Sequence, residues 1–319
     1  MKAIVQDRYG PPEHLRLADV DKPMLEDDRA LVRVRAASVN AGDWRRVRGN
    51  PFLVRMSAGI RRPRDPLIGV DAAGVVEAVG KDVTDLHVGD EVMGFRSGAF
   101  AEYVCGRMFV PKPANLGFEQ AAGVPVAGGT ALVAVRDKGR LQSGQRILIN
   151  GAGGGVGSFA VQIAKALGGE VTAVTSTANL DLVQSIGADH AIDYTREDFT
   201  RGGPRYDLIV DVGGTPSISA LRRALTPDGT LIRVGAGKGA FGPVGGFASS
   251  YLRRRFLGQR IVSFIADLEK EHLLTLKELI ETGKVRPIID RTYPLSETPA
   301  AIAYMERERA RGKVIIRLG

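Results

Sequence analysis

Cysteine is almost missing from this chain: Cys105 is the only one among 319 residues. An intrachain disulfide is therefore excluded, and so is any zinc site built from a cysteine cluster. Histidine is scarce too, and His14, His87, His190 and His272 are scattered without a metal-ligand spacing. No apolar run approaches the roughly 18 residues of a membrane-spanning helix. The opening MKAIVQDRYG has no apolar leader. A reduced, soluble, cytoplasmic protein is expected. No G-x-x-x-x-G-K-[ST] occurs, which sets P-loop nucleotidases aside, and there is no internal repeat. Acid is missing from one stretch. Between Trp44 and Arg64 the chain carries seven arginines and no Asp or Glu, interleaved with Phe52, Leu53, Val54, Met56 and Ile60. The net charge of +8 would suit nucleic acid, a phosphorylated cofactor or an acidic surface. No nucleic-acid-reading motif flanks the arginines, so nucleic acid is not an expected partner. Basic with interleaved apolar residues, the segment could also contact a membrane surface or be a merely solvated loop, but a mobile, basic substrate-side flap or interface loop is the expectation.

Glycine is abundant, with 40 residues gathered in turns. The most informative cluster lies in Arg146–Ala166, RILINGAGGGVGSFAVQIAKA. Ile147, Leu148 and Ile149 have the character of a buried parallel strand. Gly151, Gly153, Gly154, Gly155 and Gly157 follow, and then apolar residues recur at helical spacing. Strand, glycine turn and helix together are the context of a dinucleotide site. The glycines allow close approach to a pyrophosphate, and the helix start offers unpaired N–H groups.

Before this stretch, residues 1–110 read as short strands. These include Lys2–Gln6, Ala30–Ala36, Gly69–Gly80, Asp90–Phe95 and Phe100–Val104, a pattern that suggests a partly closed antiparallel barrel. Helical pieces fill 117–139. After the glycine turn, strands at Glu170–Thr175, Ala191–Asp193, Asp207–Val212, Thr230–Val234 and Arg260–Ile265 alternate with helices. This rhythm argues for a doubly wound parallel sheet. A helix is expected over Leu268–Thr282, and strand character returns at Ile288–Tyr293 and Val314–Leu318.

Several motifs together resemble the medium-chain dehydrogenase/reductase superfamily, in its zinc-independent quinone oxidoreductase-like branch. They are Ser38-Val39-Asn40-x-x-Asp43-Trp44, Gly69-Val70-Asp71-x-x-Gly74, Val88-Gly89-Asp90, Gly98-Ala99-Phe100-Ala101-Glu102-Tyr103, Val126-x-Gly128-x-Thr130, the Gly151–Gly157 loop, Gly187-Ala188-Asp189-x-x-Ile192-Asp193-Tyr194 and Arg311-Gly312-Lys313. The resemblance implies an α/β architecture. A GroES-like catalytic domain (1–122 and 264–319) would hold an inserted Rossmann domain (123–263), and the active form would be a homodimer. Zinc members of the superfamily place cysteine where this chain has Asn40 and histidine where it has Asp71, so no zinc is expected.

The second strand of the sheet ends in Thr175-Ser176-Thr177-Ala178-Asn179, and no acid appears before Asp181. NADPH is therefore favoured, with NADH possible. Ser176 and Thr177 also suit a helix cap. The resemblance adds Asn40, Thr130, Gly151, Gly154, Gly155, Val156, Tyr194, Val212, Gly235, Phe264, Ile265 and Lys313 as cofactor contacts. The implied reaction is hydride transfer to a quinone or an α,β-unsaturated carbonyl. Asn40 is the expected donor to the developing oxyanion, with Asp43, Trp44 and Tyr103 as further catalytic candidates and Arg45 as a weaker one. Asp43 also reads as a capping residue. The Trp44–Arg64 segment and the glycine-rich Gly235–Gly246 loop are expected to shape the pocket. An enoyl-thioester reductase or a non-catalytic NADPH-binding sensor are the alternatives.

Overall fold

The computed structural model describes residues 1–235, 258–307 and 310–319. The expected pocket-shaping loop beyond Gly235 lies outside them. The chain forms two compact units. One comprises Met1–Ala127, Glu269–Glu281 and Pro287–Gly319; the other comprises Gly128–Leu268 and Thr282–Arg286.

The first unit is built on a seven-stranded sheet centred on Ala30–Val39, whose inward residues Val32, Val34, Ala37 and Val39 are buried. Asp71–Val79 pairs antiparallel along one side of it. Two strands share the other side: Tyr103–Gly106 lies beside Ala30–Arg33, and Lys313–Arg317 beside Ala36–Val39. Two bulges in the pairing with Asp71–Val79 bend the sheet. Phe100, Phe109, Ile4 and Ile68 fill the core behind it at 0–1% exposure, each contributing about 1.5–3 kcal/mol by burial. Arg16–Asp19, which pairs with Lys2–Val5, and Phe109–Pro111 are strands the pattern does not announce. The first has an almost wholly exposed sequence, RLAD, and so no alternation. Phe100 belongs to the approach to a strand that begins at Tyr103.

The basic segment differs from the expected loop. It is two short helices, Ala41–Arg48 and Phe52–Ala58. Gly49, in the left-handed region at φ 61°, and Pro51 separate them. Val47 buries into the core, Arg48 forms a two-bonded pair with Glu306 at 2.8 Å, and Gln6 Nε2 donates to Val47 O at 2.7 Å. These contacts hold the first helix against the core, the helix Thr298–Arg307 and the chain just after Lys2–Val5.

The second unit contains a six-stranded parallel sheet. Its spatial order is His190–Asp193, Glu170–Thr175, Arg146–Asn150, Tyr206–Asp211, Leu225–Val234 and Arg260–Phe264. The central strand is fully buried through Ile147, Leu148 and Ile149, which explains its unbroken apolar sequence. The chain starts at this strand, works outward on one side and then crosses to the other. This places the reversal between Arg146–Asn150 and Tyr206–Asp211. The helix after the glycines runs Gly155–Ala166. The helix Ile218–Arg223 is short, and the fifth strand, expected over Thr230–Val234, starts already at Leu225.

Candidate functional site

Because all six strands of the second unit are parallel, their C-terminal ends lie on one edge. Seven of the expected cofactor residues follow directly from those ends: Gly151, Ser176, Thr177, Tyr194, Val212, Gly235 and Ile265. Phe264 closes the last strand, 8% exposed, while Ile265 is 77% exposed. Gly235, at φ 74°, donates its N–H to Phe264 O at 3.1 Å. Thr130 is buried in the helix Pro125–Leu132.

The turn after Asn150 requires its glycines. Gly151 sits at φ 86°. A Cβ at Gly157 would stand 2.1 Å from Gly151 O, so helix and loop touch backbone to backbone. Gly154 caps the helix with extended backbone, and Gly155 and Val156 form its first turn. A pyrophosphate fits this cradle: a Cβ built at Gly154 would meet nothing closer than 3.6 Å, and the first N–H groups of a twelve-residue helix have no partner within the helix.

At the strand reversal, Asn150 Nδ2 donates to Asp211 Oδ1 at 2.8 Å, Gly214 N donates to the same oxygen, and Arg233 Nε reaches Asp211 Oδ2 at 3.2 Å. Sequence reasoning missed this group, although Asn150 and Asp211 both close apolar strands with a polar residue. Next to Ser176, Thr177 Oγ1 donates to Asp193 Oδ2, and Thr195 donates to Asp193 Oδ1 through its N–H and its hydroxyl. Arg196 Nε stands 3.5 Å from Asp193. These hydrogen bonds, from Thr177 first, hold the Asp193 carboxyl below its ordinary range.

The first unit gathers a second cluster. In the sheet, Lys313–Arg317, Ala30–Val39 and Asp71–Val79 are neighbours, with Val314 opposite Val39 and Ser38 opposite Asp71. That register brings Lys313, Asn40 and Asp71 to one end. Lys313 Nζ, on a residue 2% exposed, donates to Asn40 Oδ1 at 2.6 Å and to Val39 O at 3.3 Å, and lies 3.5 Å from Asp71 Oδ2. Asp71 accepts from Asn40 Nδ2 at 2.9 Å, Ser38 Oγ at 3.0 Å and Val126 N at 3.1 Å. The Asp43 carboxylate accepts Asn40 N at 2.7 Å, which settles the entry of the helix Ala41–Arg48. Burial pushes Asp71 up and Lys313 down, and the opposite charge of each offsets part of the other's shift. Asp43, buried and facing Asp71, is pushed up to about 7.

Asn40, Asp43 and Lys313 therefore meet. Trp44, half-buried, packs on the core with the Arg45 guanidinium 5.3 Å from its ring centroid. Tyr103 does not join them. It pairs opposite Arg33, seven residues along the strand from Asn40, which is roughly 20 Å at the rise of a β-strand, and the Lys22 ammonium covers its ring at 3.9 Å. The motif showed a strand but not its register. Asp71 and Ser38 were visible only as motif letters; their role comes from the pairing.

The donor set at this cluster does not suit zinc. It offers an amide and two carboxyls, Asp71 and Asp43, the latter bonded to the Asn40 backbone N–H, with the Lys313 ammonium already among them, where a zinc site needs deprotonated donors around an open position. Among the described residues, no group of three or more His, Cys, Asp or Glu is placed to hold a metal ion. No helix of the described residues is long and apolar enough to cross a membrane.

Residues 26–114 match the family model of the alcohol dehydrogenase GroES-like domain, and residues 186–316 match that of the zinc-binding dehydrogenases. The chain is 34% identical to a 2-methylene-furan-3-one reductase of Solanum lycopersicum, over 99% of this chain and 79% of the relative. It is 33% identical to a chloroplastic NADPH-dependent alkenal/one oxidoreductase of Arabidopsis thaliana, with the same coverage. The solved quinone oxidoreductase of Coxiella burnetii superposes with a TM-score of 0.89 at 30% identity, covering 100% of this chain and 99% of that one.

Proposed function

The chain belongs to the quinone oxidoreductase-like branch of the medium-chain dehydrogenase/reductase superfamily, whose members use a nicotinamide cofactor, and we propose that it reduces a quinone or an α,β-unsaturated carbonyl with NADPH and without zinc. One observation carries this reading: the Asn40 amide is fixed between the Lys313 ammonium and the Asp71 carboxylate. Asn40 Nδ2 has two hydrogens; Asp71 takes one, and the other is free for an acceptor oxygen. Lys313, bonded to the amide oxygen, polarises the group and strengthens that donor. Quinones and enones develop negative charge on oxygen as they accept hydride, and a preorganised neutral donor stabilises it. Asp43 holds the backbone on which the amide stands.

The bound nicotinamide supplies the hydride. Around it, the glycine turn and the start of Gly155–Ala166 would hold the pyrophosphate. Ser176, Thr177, Tyr194 and Arg196 would receive the 2′-phosphate, with the Asp193 charge turned inward onto Thr177 and Thr195. Asn40 and Lys313, expected as cofactor contacts, act in this reading from the acceptor side. The proposed working form is a cytoplasmic homodimer, which light scattering tests.

The deciding experiment compares NADPH and NADH oxidation with a soluble quinone, a small enone and a crotonyl thioester, each with and without a metal chelator. Chelator-resistant turnover of quinone or enone, faster with NADPH, is expected. Loss of turnover in chelator, or preference for the thioester, overturns the reading.

A further inference from the structure

The seven-arginine stretch has no task in the chemistry above, yet it is built and displayed. Its scaffold faces inward. Tyr9 Oη donates to Gly59 O at 2.6 Å, the Arg55 guanidinium lies 4.8 Å from the Tyr9 ring centroid, and Arg55 Nε donates to Gly49 O at 3.0 Å. Arg64 N closes the turn onto Ala58 O at 2.8 Å. What faces outward is apolar and cationic together. Phe52 is 60% exposed, Met56 57% and Ile60 60%, and Phe52 and Met56 are one helical turn apart. Arg61, Arg62 and Arg64 are exposed beside them. Among the described residues no ion pair links these three to an acid, and the nearest acid in sequence, Asp65, turns to Arg46 at 3.9 Å and to Leu67 N at 3.0 Å.

We propose that this face, Phe52 to Arg64, docks the enzyme on an anionic lipid bilayer. The exposed Phe52 and Met56 of the helix and Ile60 just after it can enter the headgroup boundary, and the guanidiniums of Arg61, Arg62 and Arg64, which no ion pair among the described residues engages, can meet lipid phosphates. Each half of the pattern needs the other. Arginines alone would serve any polyanion, and Phe52 could stack on a base, but Met56 and Ile60 offer no stacking plane and gain nothing against the solvated backbone of a nucleic acid. An apolar patch alone would suit a protein partner, but three adjacent unpaired cations would meet a cost in a dry interface. The attachment is peripheral and reversible. If the acceptor is a quinone, as proposed above, and one that partitions into lipid, docking also brings the enzyme to the phase that holds it; the docking itself does not rest on that reading.

The test is flotation of the full chain with phosphatidylcholine vesicles and with vesicles that also contain phosphatidylglycerol. Binding is read without turnover. Trp44, the only tryptophan of the chain and next to the segment, serves as a second readout through quenching by brominated lipid. The expected result is binding to the anionic vesicles alone, weakened by salt. Affinity should fall at least about tenfold both in Phe52→Ser/Met56→Ser/Ile60→Ser and in Arg61→Ser/Arg62→Ser/Arg64→Ser. The single change Phe52→Glu gives a milder check, and thermal unfolding of each variant reports its fold. Three outcomes overturn the proposal: no binding by the native chain, equal binding to neutral vesicles, or full binding by the apolar triple variant. So does a self-associated state that the apolar variant dissolves while vesicles leave it unchanged, which would assign the face to a second copy.

Discussion

Lys313 Nζ lies 2.6 Å from Asn40 Oδ1 and 3.5 Å from Asp71 Oδ2, and both charged side chains are almost wholly shielded from solvent. The amide is thereby held in one orientation, oxygen to the cation and nitrogen to the anion. Replacing Lys313 with Met leaves Asp71 buried without its cation. The expected loss of stability is about 3–5 kcal/mol. Adding Asp71→Asn to Lys313→Met should restore part of it, since the charge left uncompensated is then gone. Urea unfolding of the two single variants and the double variant checks this.

Asn40→Ala removes the donor proposed for the acceptor oxygen. By comparison with other oxyanion donors, kcat should fall roughly 100- to 1,000-fold, with the affinity for NADPH unchanged. Steady-state rates with a soluble quinone and a direct NADPH titration separate the two. Unchanged kcat would remove Asn40 from the chemistry.

Asp43 makes stability depend on pH in a defined direction. Its carboxyl titrates near 7 in the folded chain, against an ordinary 3.8. Between these values the folded state keeps a proton that the unfolded state has lost, so stability falls as pH rises from about 4 to 7. The full span corresponds to roughly 4 kcal/mol. Asp43→Asn keeps an oxygen for the Asn40 N–H and should flatten that slope. Denaturation midpoints at several pH values, compared between the native chain and the variant, are the measurement.

Two glycines of the same turn should respond differently. Gly157→Ala places a methyl 2.1 Å from Gly151 O, which overpacking predicts to cost about 1–3 kcal/mol and to weaken dinucleotide binding. At Gly154 a Cβ would meet nothing closer than 3.6 Å, so Gly154→Ala should fold as the native chain does. Thermal unfolding and NADPH titration distinguish them.

Ser176→Asp sets a carboxylate at the end of Glu170–Thr175, where a ribose 2′-phosphate would be repelled. NADPH affinity should drop while NADH affinity holds or rises. A variant that keeps its NADPH preference would show that the phosphate is received elsewhere.

How far the sequence reached depended on whether a feature was local. Ile147–Ile149 with its glycines, and the strand–helix alternation after it, carry their own periodicity, so the parallel sheet and its cofactor edge could be read directly. The Lys313–Asn40–Asp71 group could not, because it arises from the register of three strands drawn from both ends of the chain. Tyr103 shows the same limit: its strand was legible, its neighbour across the sheet was not. Arg16–Asp19 was silent because an exposed edge strand needs no apolar alternation. The basic segment read as a loop because Gly49 and Pro51 divide it into pieces too short to show a helical period.

The six strands of the parallel sheet end on a common edge, and each connection that leaves it starts from its own strand. A substitution in one loop therefore leaves the others in place. Cofactor preference in such a scaffold can drift one contact at a time, with every intermediate still folded. A library randomised at Ser176, Thr177 and Arg196 should accordingly yield mostly soluble, folded proteins that differ in the nucleotide they hold.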